Sequence, residues 1–281
     1  MNLDQFITAI VLIGIFYLIF FIGKIVYGWI HWDYDLTEEL VQKDNPAVAL
    51  SVGGYYLGLV IAVGGILVGP DQTIVDELID LCVYGLMSIL LLNVSWFLCD
   101  KFILYRFKMN DELIRDQNPG TGVVSFGVSV ASGLVIYGSV SGEGGNIWTS
   151  TAFWAIGQVM LIAAGLVYNR MIPYDLHEQI EKDNVAAGVS FAGALIAMGV
   201  IVGLAAEGDF ESWSADLSGF ILVSLSGLVL LPVIRFLTDK ILIPTVSLSD
   251  EIARQEKPNV GAAYIEAISY IAASFIIYWC V

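Results

Sequence analysis

One carboxylate lies where a carboxylate is costly. Glu266 sits inside the apolar stretch Asn259–Val281. Hydrocarbon cannot hydrate an ionisable group, so a charge within a membrane-length run marks a functional site by default. Counted along the helix from Pro258, it lies roughly 12 Å into the run at the helical rise. The same count from Pro46, Pro119 and Val185 reaches Gly54, Gly127 and Gly193. Two readings are open: a proton or cation site beside three glycines, or a protonated or hydrogen-bonded packing residue.

A second constellation occurs four times. Glu39 leads through Asn45 to Pro46, Glu112 through Asn118 to Pro119, Glu178 through Asn184 to Val185, and Glu251 to Pro258. Each copy opens on glutamate and delivers the chain into an apolar run. Asparagine caps a helix by accepting from its first free N–H groups, and proline suits the first helical position. The segments therefore read as connectors that start helices. Four convergent copies could also form a ligand, ion or partner surface. Asp100-Lys101 and Asp239-Lys240, one pair at the same place in each half of the chain, set an acid and a base at two further span ends. They are membrane-end charges, or the acids line a mouth.

Other chemistry is sparse. Asn93 and Gln158 are polar groups suited to tying helices together. His31 and His177 lack metal-ligand spacing and are expected as interfacial side chains. Cys82, Cys99 and Cys280 are widely spaced in apolar runs and read as packing residues. No phosphate loop, zinc-protease helix, dinucleotide fingerprint or nucleophile elbow is present. No catalytic residue, metal or cofactor is expected, and the short loops leave no room for a soluble catalytic domain.

The elements that must position these residues follow from composition. Of 281 residues, 57% are hydrophobic and 14% charged, with a mean hydropathy of +0.78. A soluble domain carries about 25% charged residues. Eight apolar runs are long enough to cross a bilayer as helices: Phe6–Tyr27, Ala47–Val68, Leu78–Phe102, Gly120–Val140, Ile147–Tyr168, Val185–Ala206, Leu217–Leu237 and Asn259–Val281. The first has no positive charge before it and is expected to remain as a membrane helix.

All 12 Lys and Arg fall in, or at the helix ends beside, the loops after the odd-numbered spans. The termini and the other loops hold Asp4, Asp71, Asp76, Glu77, Asp80, Glu143, Glu207, Asp209, Glu211 and Asp216, with no base. Basic short loops stay in the cytoplasm, so both termini are expected outside it.

The motif positions Pro46, Pro119, Val185 and Pro258 are almost evenly spaced, and the step from Pro46 to Val185 equals that from Pro119 to Pro258. The chain thus reads as two tandem modules, 1–142 and 143–281, each a doubled helical hairpin. The fold class is an all-α polytopic membrane protein of four parallel hairpin repeats, which could surround a pseudo-fourfold axis, while the alternation of the steps argues for at least a pseudo-twofold. Even-numbered spans are rich in glycine and alanine and should pack inside, with the bulkier odd spans facing lipid.

The Glu-x6-Pro segments followed by glycine-rich spans resemble the YjfL-like family of uncharacterised bacterial inner-membrane proteins (domain of unknown function 350), over essentially the whole chain. Val185 replaces the proline in the third copy, and in the fourth Lys257 replaces the asparagine, which moves to Asn259, after Pro258. The resemblance implies a bacterial inner-membrane location and an association with envelope-stress and phage-shock-like genes. It brings no catalytic residues.

Two functions remain open. One is a non-catalytic membrane scaffold or stress component whose connectors dock a cytoplasmic partner. The other is a small-ion or small-solute conduit between the even spans. The expected partners are the lipid bilayer, a cytoplasmic protein and a second copy of the chain, and not nucleic acid.

Overall fold

The computed structural model describes residues 3–68 and 73–280. Asp71 and Val281 lie outside the described residues, as do the side chains of the first five. Eleven α-helices occur among the described residues, and no strand. Eight are long and apolar enough to span a membrane: α1 (Leu3–Ile30), α2 (Pro46–Gly64), α3 (Ile74–Leu98), α5 (Pro119–Val140), α6 (Ile147–Met171), α8 (Val185–Ala206), α9 (Trp213–Leu237) and α11 (Val260–Cys280). Three short helices, α4 (Met109–Ile114), α7 (Leu176–Glu181) and α10 (Leu248–Ala253), lie in the connectors. A π-helical turn, Glu38–Gln42, takes that place in the first connector.

Several spans run beyond the expected limits. Helix α3 starts at Ile74 because Thr73 caps it, its hydroxyl accepting from Asp76 N at 3.3 Å. Asp76 and Glu77 then fall in the first turn, where acids oppose the positive end of the helix dipole. At their other ends α3 and α9 widen into π-helical turns, Cys99–Ile103 and Thr238–Leu242.

The spans form two layers. The even-numbered spans α2, α5, α8 and α11 lie side by side in one row, each packed along its length on the next. The odd-numbered spans form the second row. Helix α3 packs against both α2 and α5, α6 against α5 and α8, and α9 against α8 and α11, while α1 flanks α3. No comparable contact joins α11 back to α2. The row is open, and the four hairpins do not surround a fourfold axis.

The middle of the even row is the most buried part of the molecule. Nearly every residue from Ala186 to Gly203 is buried, as is most of α5. Helix α11 is instead about as exposed as the odd helices, because among the described residues no helix packs beyond it. The even helices approach backbone to backbone. A Cβ on Gly54 would sit 2.4 Å from Phe126 Cα, one on Gly127 2.6 Å from Ala192 Cβ, and one on Gly193 2.4 Å from Ala267 Cα. Close approach of this kind replaces the hydrophobic drive that lipid removes. The row continues across residue 142 without a break, since Gly138 of α5 meets Gly203 of α8.

Candidate functional site

The four connectors share one hydrogen-bonded lock. In each, an asparagine side-chain oxygen caps the following span: Asn45 accepts from Val48 N at 3.2 Å, Asn118 from Thr121 N at 3.0 Å, Asn184 from Ala187 N at 3.0 Å, and Asn259 from Ala262 N at 3.1 Å. The amide nitrogen then donates backwards. Asn45 reaches Glu39 Oε2 at 2.9 Å, Asn118 reaches Glu112 Oε2 at 2.9 Å, and Asn259 reaches Glu251 Oε2 at 2.8 Å. Asn184 uses Gln179 Oε1 at 2.7 Å, leaving Glu178 exposed and paired with Lys182.

The asparagine is therefore the register mark of the repeat, and the proline is not. The fourth connector carries its proline before the cap instead of after it. The stretch from its glutamate to its asparagine is longer than in the first two connectors. Just before the cap, Asp44, Gln117 and Asp183 take φ values of 51°, 51° and 60°. Proline cannot adopt such angles, so Pro258 requires the longer path.

The same amide nitrogen carries a second bond, to the next repeat. Asn45 donates to Leu113 O at 2.8 Å, Asn118 to Ile180 O at 2.6 Å, and Asn184 to Ile252 O at 2.8 Å. Each of the first three connectors thus fastens itself and its successor. Glu39 and Glu112 are turned inward, 2% and 5% exposed. Burial acts to raise the Glu39 carboxyl, but hydrogen bonds from Lys43 and Asn45 outweigh it and hold it below the ordinary carboxylate value. Glu112 has no lysine partner, and burial leaves it raised despite Asn118.

The Asp-Lys pairs also act on the connectors. Asp100 Oδ1 accepts from Met109 N at 2.9 Å, and Asp239 Oδ1 from Leu248 N at 2.7 Å. Each ties a π-helical turn to the start of a short helix. Lys101 and Lys240 stay exposed beside them at 3.2 and 2.8 Å.

Counted from Asn259, Glu266 corresponds to Val52, Ser125 and Phe191, and not to the glycines expected from the proline count. It has no exposed surface. Its Oε1 forms an ion pair with Arg235 of α9 and accepts from Tyr270 OH at 3.2 Å. Arg235 also donates to Ser249 Oγ at 2.9 Å, and its guanidinium lies 6.0 Å from the Tyr168 ring centroid. Glu266 Oε2, Ser190 Oγ, Tyr168 OH and Tyr174 OH are buried without a protein partner. A buried carboxylate requires a counter-charge, and this one joins α9 to α11.

By sequence alone Arg235 is one of the helix-end cations, and the pair goes unseen. A signal exists: Arg235 precedes Leu242, the end of the π-helical turn, by the same distance along the chain as Glu266 follows Asn259. On antiparallel neighbours that places both at one depth. In the first module Trp96 stands at the position of Arg235, edge-on against His31 with ring centroids 4.7 Å apart.

Both histidines lie at the connector end and are buried there. His31 stacks on Tyr27 with ring centroids 4.1 Å apart, and its Nδ1 is 3.0 Å from Tyr27 O. His177 Nε2 is 2.9 Å from Ile103 O, a carbonyl released at the end of a π-helical turn. Burial lowers both below the ordinary histidine value. Asn93 donates to Tyr55 OH at 3.0 Å, and Ser132 to Gln158 Oε1 at 3.3 Å, so both polar residues join neighbouring spans.

At the end of the molecule away from the connectors, a cavity of about 1110 Å3 opens between the layers. Glu77, Asp80, Glu143, Glu207, Asp209 and Asp216 line it, with no Lys or Arg. It stops short of Glu266 and Arg235. Among the described residues, no three His, Cys, Asp or Glu side chains converge as metal ligands would.

Fold and site together define an integral membrane protein of tandem helical hairpins, held by asparagine locks at one end and by close helix packing through its middle. The chain belongs to the family described as Domain of Unknown Function (DUF350), whose model matches it twice, over residues 1–140 and 144–281. It is similar to the UPF0719 transmembrane protein of Aquifex aeolicus (strain VF5), with 24% identity over 270 residues, 94% of this chain and 96% of that protein. No solved structure matches the chain.

Proposed function

We propose that the chain is a non-catalytic scaffold of the bacterial inner membrane, acting in the envelope-stress response, with its connectors in the cytoplasm and both termini outside. The backbone contact along the even row carries this reading. Gly58 and Gly133, Gly127 and Ala192, and Gly138 and Gly203 are packed so closely that no added methyl fits between them. A conduit between the even helices, the alternative reading, finds no opening there. The orientation rests on the 12 Lys and Arg at the connector end.

A cytoplasmic partner would meet the exposed charges Glu178, Lys182, Asp250 and Arg254, not Glu39 and Glu112, which are used internally. Reconstitution into liposomes tests the scaffold directly. Proton- and potassium-sensitive dyes are expected to report the same leak as protein-free vesicles. A flux that Glu266→Gln abolishes would overturn the scaffold in favour of the conduit.

A further inference from the structure

The row of even helices is unfinished at both ends, and the two ends match. Counted from the capping asparagine, α2 and α5 present the same two positions to their successors, and α8 presents the first of them. The successor receives them at the positions immediately before those two. Gly54 meets Phe126, Gly127 meets Ala192, and Gly193 meets Ala267. Further along, Gly65 meets Tyr137 and Gly138 meets Gly203. In every pair at least one side is small enough for close approach.

On α11 the presenting positions are Ile268 and Trp279, which are 58% and 76% exposed. On α2 the receiving positions are Gly53 and Gly64, where an added Cβ would meet nothing within 4 Å. The bulky free face therefore complements the bare one, the reverse of Gly54 against Phe126. The hydrogen bonds are unfinished in the same sense. Asn45, Asn118 and Asn184 donate to Leu113, Ile180 and Ile252 of the following connector. Among the described residues no connector follows Asn259. Leu40, which stands where Leu113, Ile180 and Ile252 stand, has no preceding one among the described residues.

We propose that α11 of one copy docks on α2 of a second copy in the same membrane orientation, continuing the internal repeat interface from chain to chain. Ile268 and Trp279 fill the surfaces over Gly53 and Gly64, and Asn259 donates to the carbonyl of Leu40 across the junction. The contact is head-to-tail, so copies either close into a ring or extend as a row. It is founded on repeat geometry and goes beyond the scaffold reading. The liposome flux result does not bear on it.

Disulfide trapping in native membranes tests the contact. The background carries Cys82→Ser and Cys280→Ser, and Cys99 stays because it is buried. With Gly53→Cys and Ile268→Cys together, mild oxidation is expected to yield a ladder of covalent multimers, while each single variant remains monomeric. The two positions lie at opposite ends of the row, so a bond within one chain cannot mimic the result. Monomer alone from the double variant would overturn the proposal. So would a dimer from Gly53→Cys alone, which marks a symmetric α2–α2 contact. As a second measurement, Gly53→Trp is expected to reduce the mass of the detergent-extracted particle to that of one chain, with Gly14→Trp on α1 leaving it unchanged. Equal masses for the two would also overturn it.

Discussion

Replacing Gly133 with alanine isolates the interaction on which the even row depends. The new Cβ would lie 2.4 Å from Gly58 O, 2.7 Å from Gly58 Cα and 2.8 Å from Gly58 C. Carbon atoms settle about 3.5–4.0 Å apart, so α2 and α5 must separate by roughly 1 Å. A gap of that size forfeits a quarter to a half of each dispersion contact across the interface. In water, alanine would recover about 1 kcal/mol through helix propensity. That gain largely vanishes here, because a span in lipid stays helical even when its tertiary contacts are lost. The expected net loss is about 1–3 kcal/mol, the usual cost of overpacking. Gly14→Ala is the control, since a Cβ there meets nothing within 4 Å. Unfolding in mixed micelles of rising SDS fraction, followed by tryptophan fluorescence, measures both. If G133A and G14A unfold at the same SDS fraction, the backbone-contact account of the even row is wrong.

Arg235→Met or Glu266→Gln alone should each cost about 3–5 kcal/mol by stranding the other group; the same titration should show the double replacement Arg235→Met with Glu266→Leu recovering most of that loss. Asn118→Ala removes a cap worth about 1 kcal/mol and leaves Ile180 O and Glu112 short of a donor, so faster amide exchange is expected in both the second and third connectors. Gln117→Gly relieves a left-handed backbone at φ 51° and should stabilise the second connector by up to about 1 kcal/mol; an unchanged unfolding midpoint would count against strain there. Acid should affect the first two connectors oppositely. Glu112 is raised by burial, so its folded value exceeds its unfolded one, and its connector gains protection as pH falls through the ordinary carboxylate range. Glu39 is held low by Lys43 and Asn45 against burial, so its contribution is intact above that range and lost only as pH falls below it. Exchange rates corrected for intrinsic pH dependence, compared among about pH 7, about pH 4.5 and about pH 3, distinguish the two.

The membrane class and the parallel repeats were legible because hydropathy and charge sidedness act along the chain, one residue at a time. The asparagine caps were legible for the same reason, since a cap acts within three residues. Cross-repeat relations were not. The bond from Asn45 to Leu113 O spans 68 residues, and no local pattern announces it. Counting from proline misplaced Glu266 because proline merely tolerates the first helical position, whereas the asparagine physically starts the helix. The third glutamate was misplaced similarly. Glu178 keeps the sequence spacing, yet Gln179 makes the bond, because that connector reaches its cap by a shorter path. The open row was also hidden, since parallel repeats with small interfaces suit a ring and a row equally well until the angle between neighbours is known.

The position of the ion pair follows from the open row. Helices α5 and α8 are gripped on two sides by other even helices, so close packing supplies most of their hold. Helix α11 is gripped on one side only, by α8 at Gly193 and Ala267. Its second fastening comes from the odd layer, through Arg235 of α9 to Glu266. At the other end of the row α2 has the same need and meets it without charge. Tyr55 OH donates to Gly23 O of α1 at 3.2 Å and accepts from Asn93 of α3 at 3.0 Å. Both end helices thus carry polar ties into the second layer, where the middle helix α5 adds the longer bond from Ser132 to Gln158 Oε1 at 3.3 Å. On this account, losing Glu266 should detach α11 and leave the packing of α5 on α8 intact. Cysteine accessibility along α11, compared with that along α5, would distinguish this local release from general unfolding of the row.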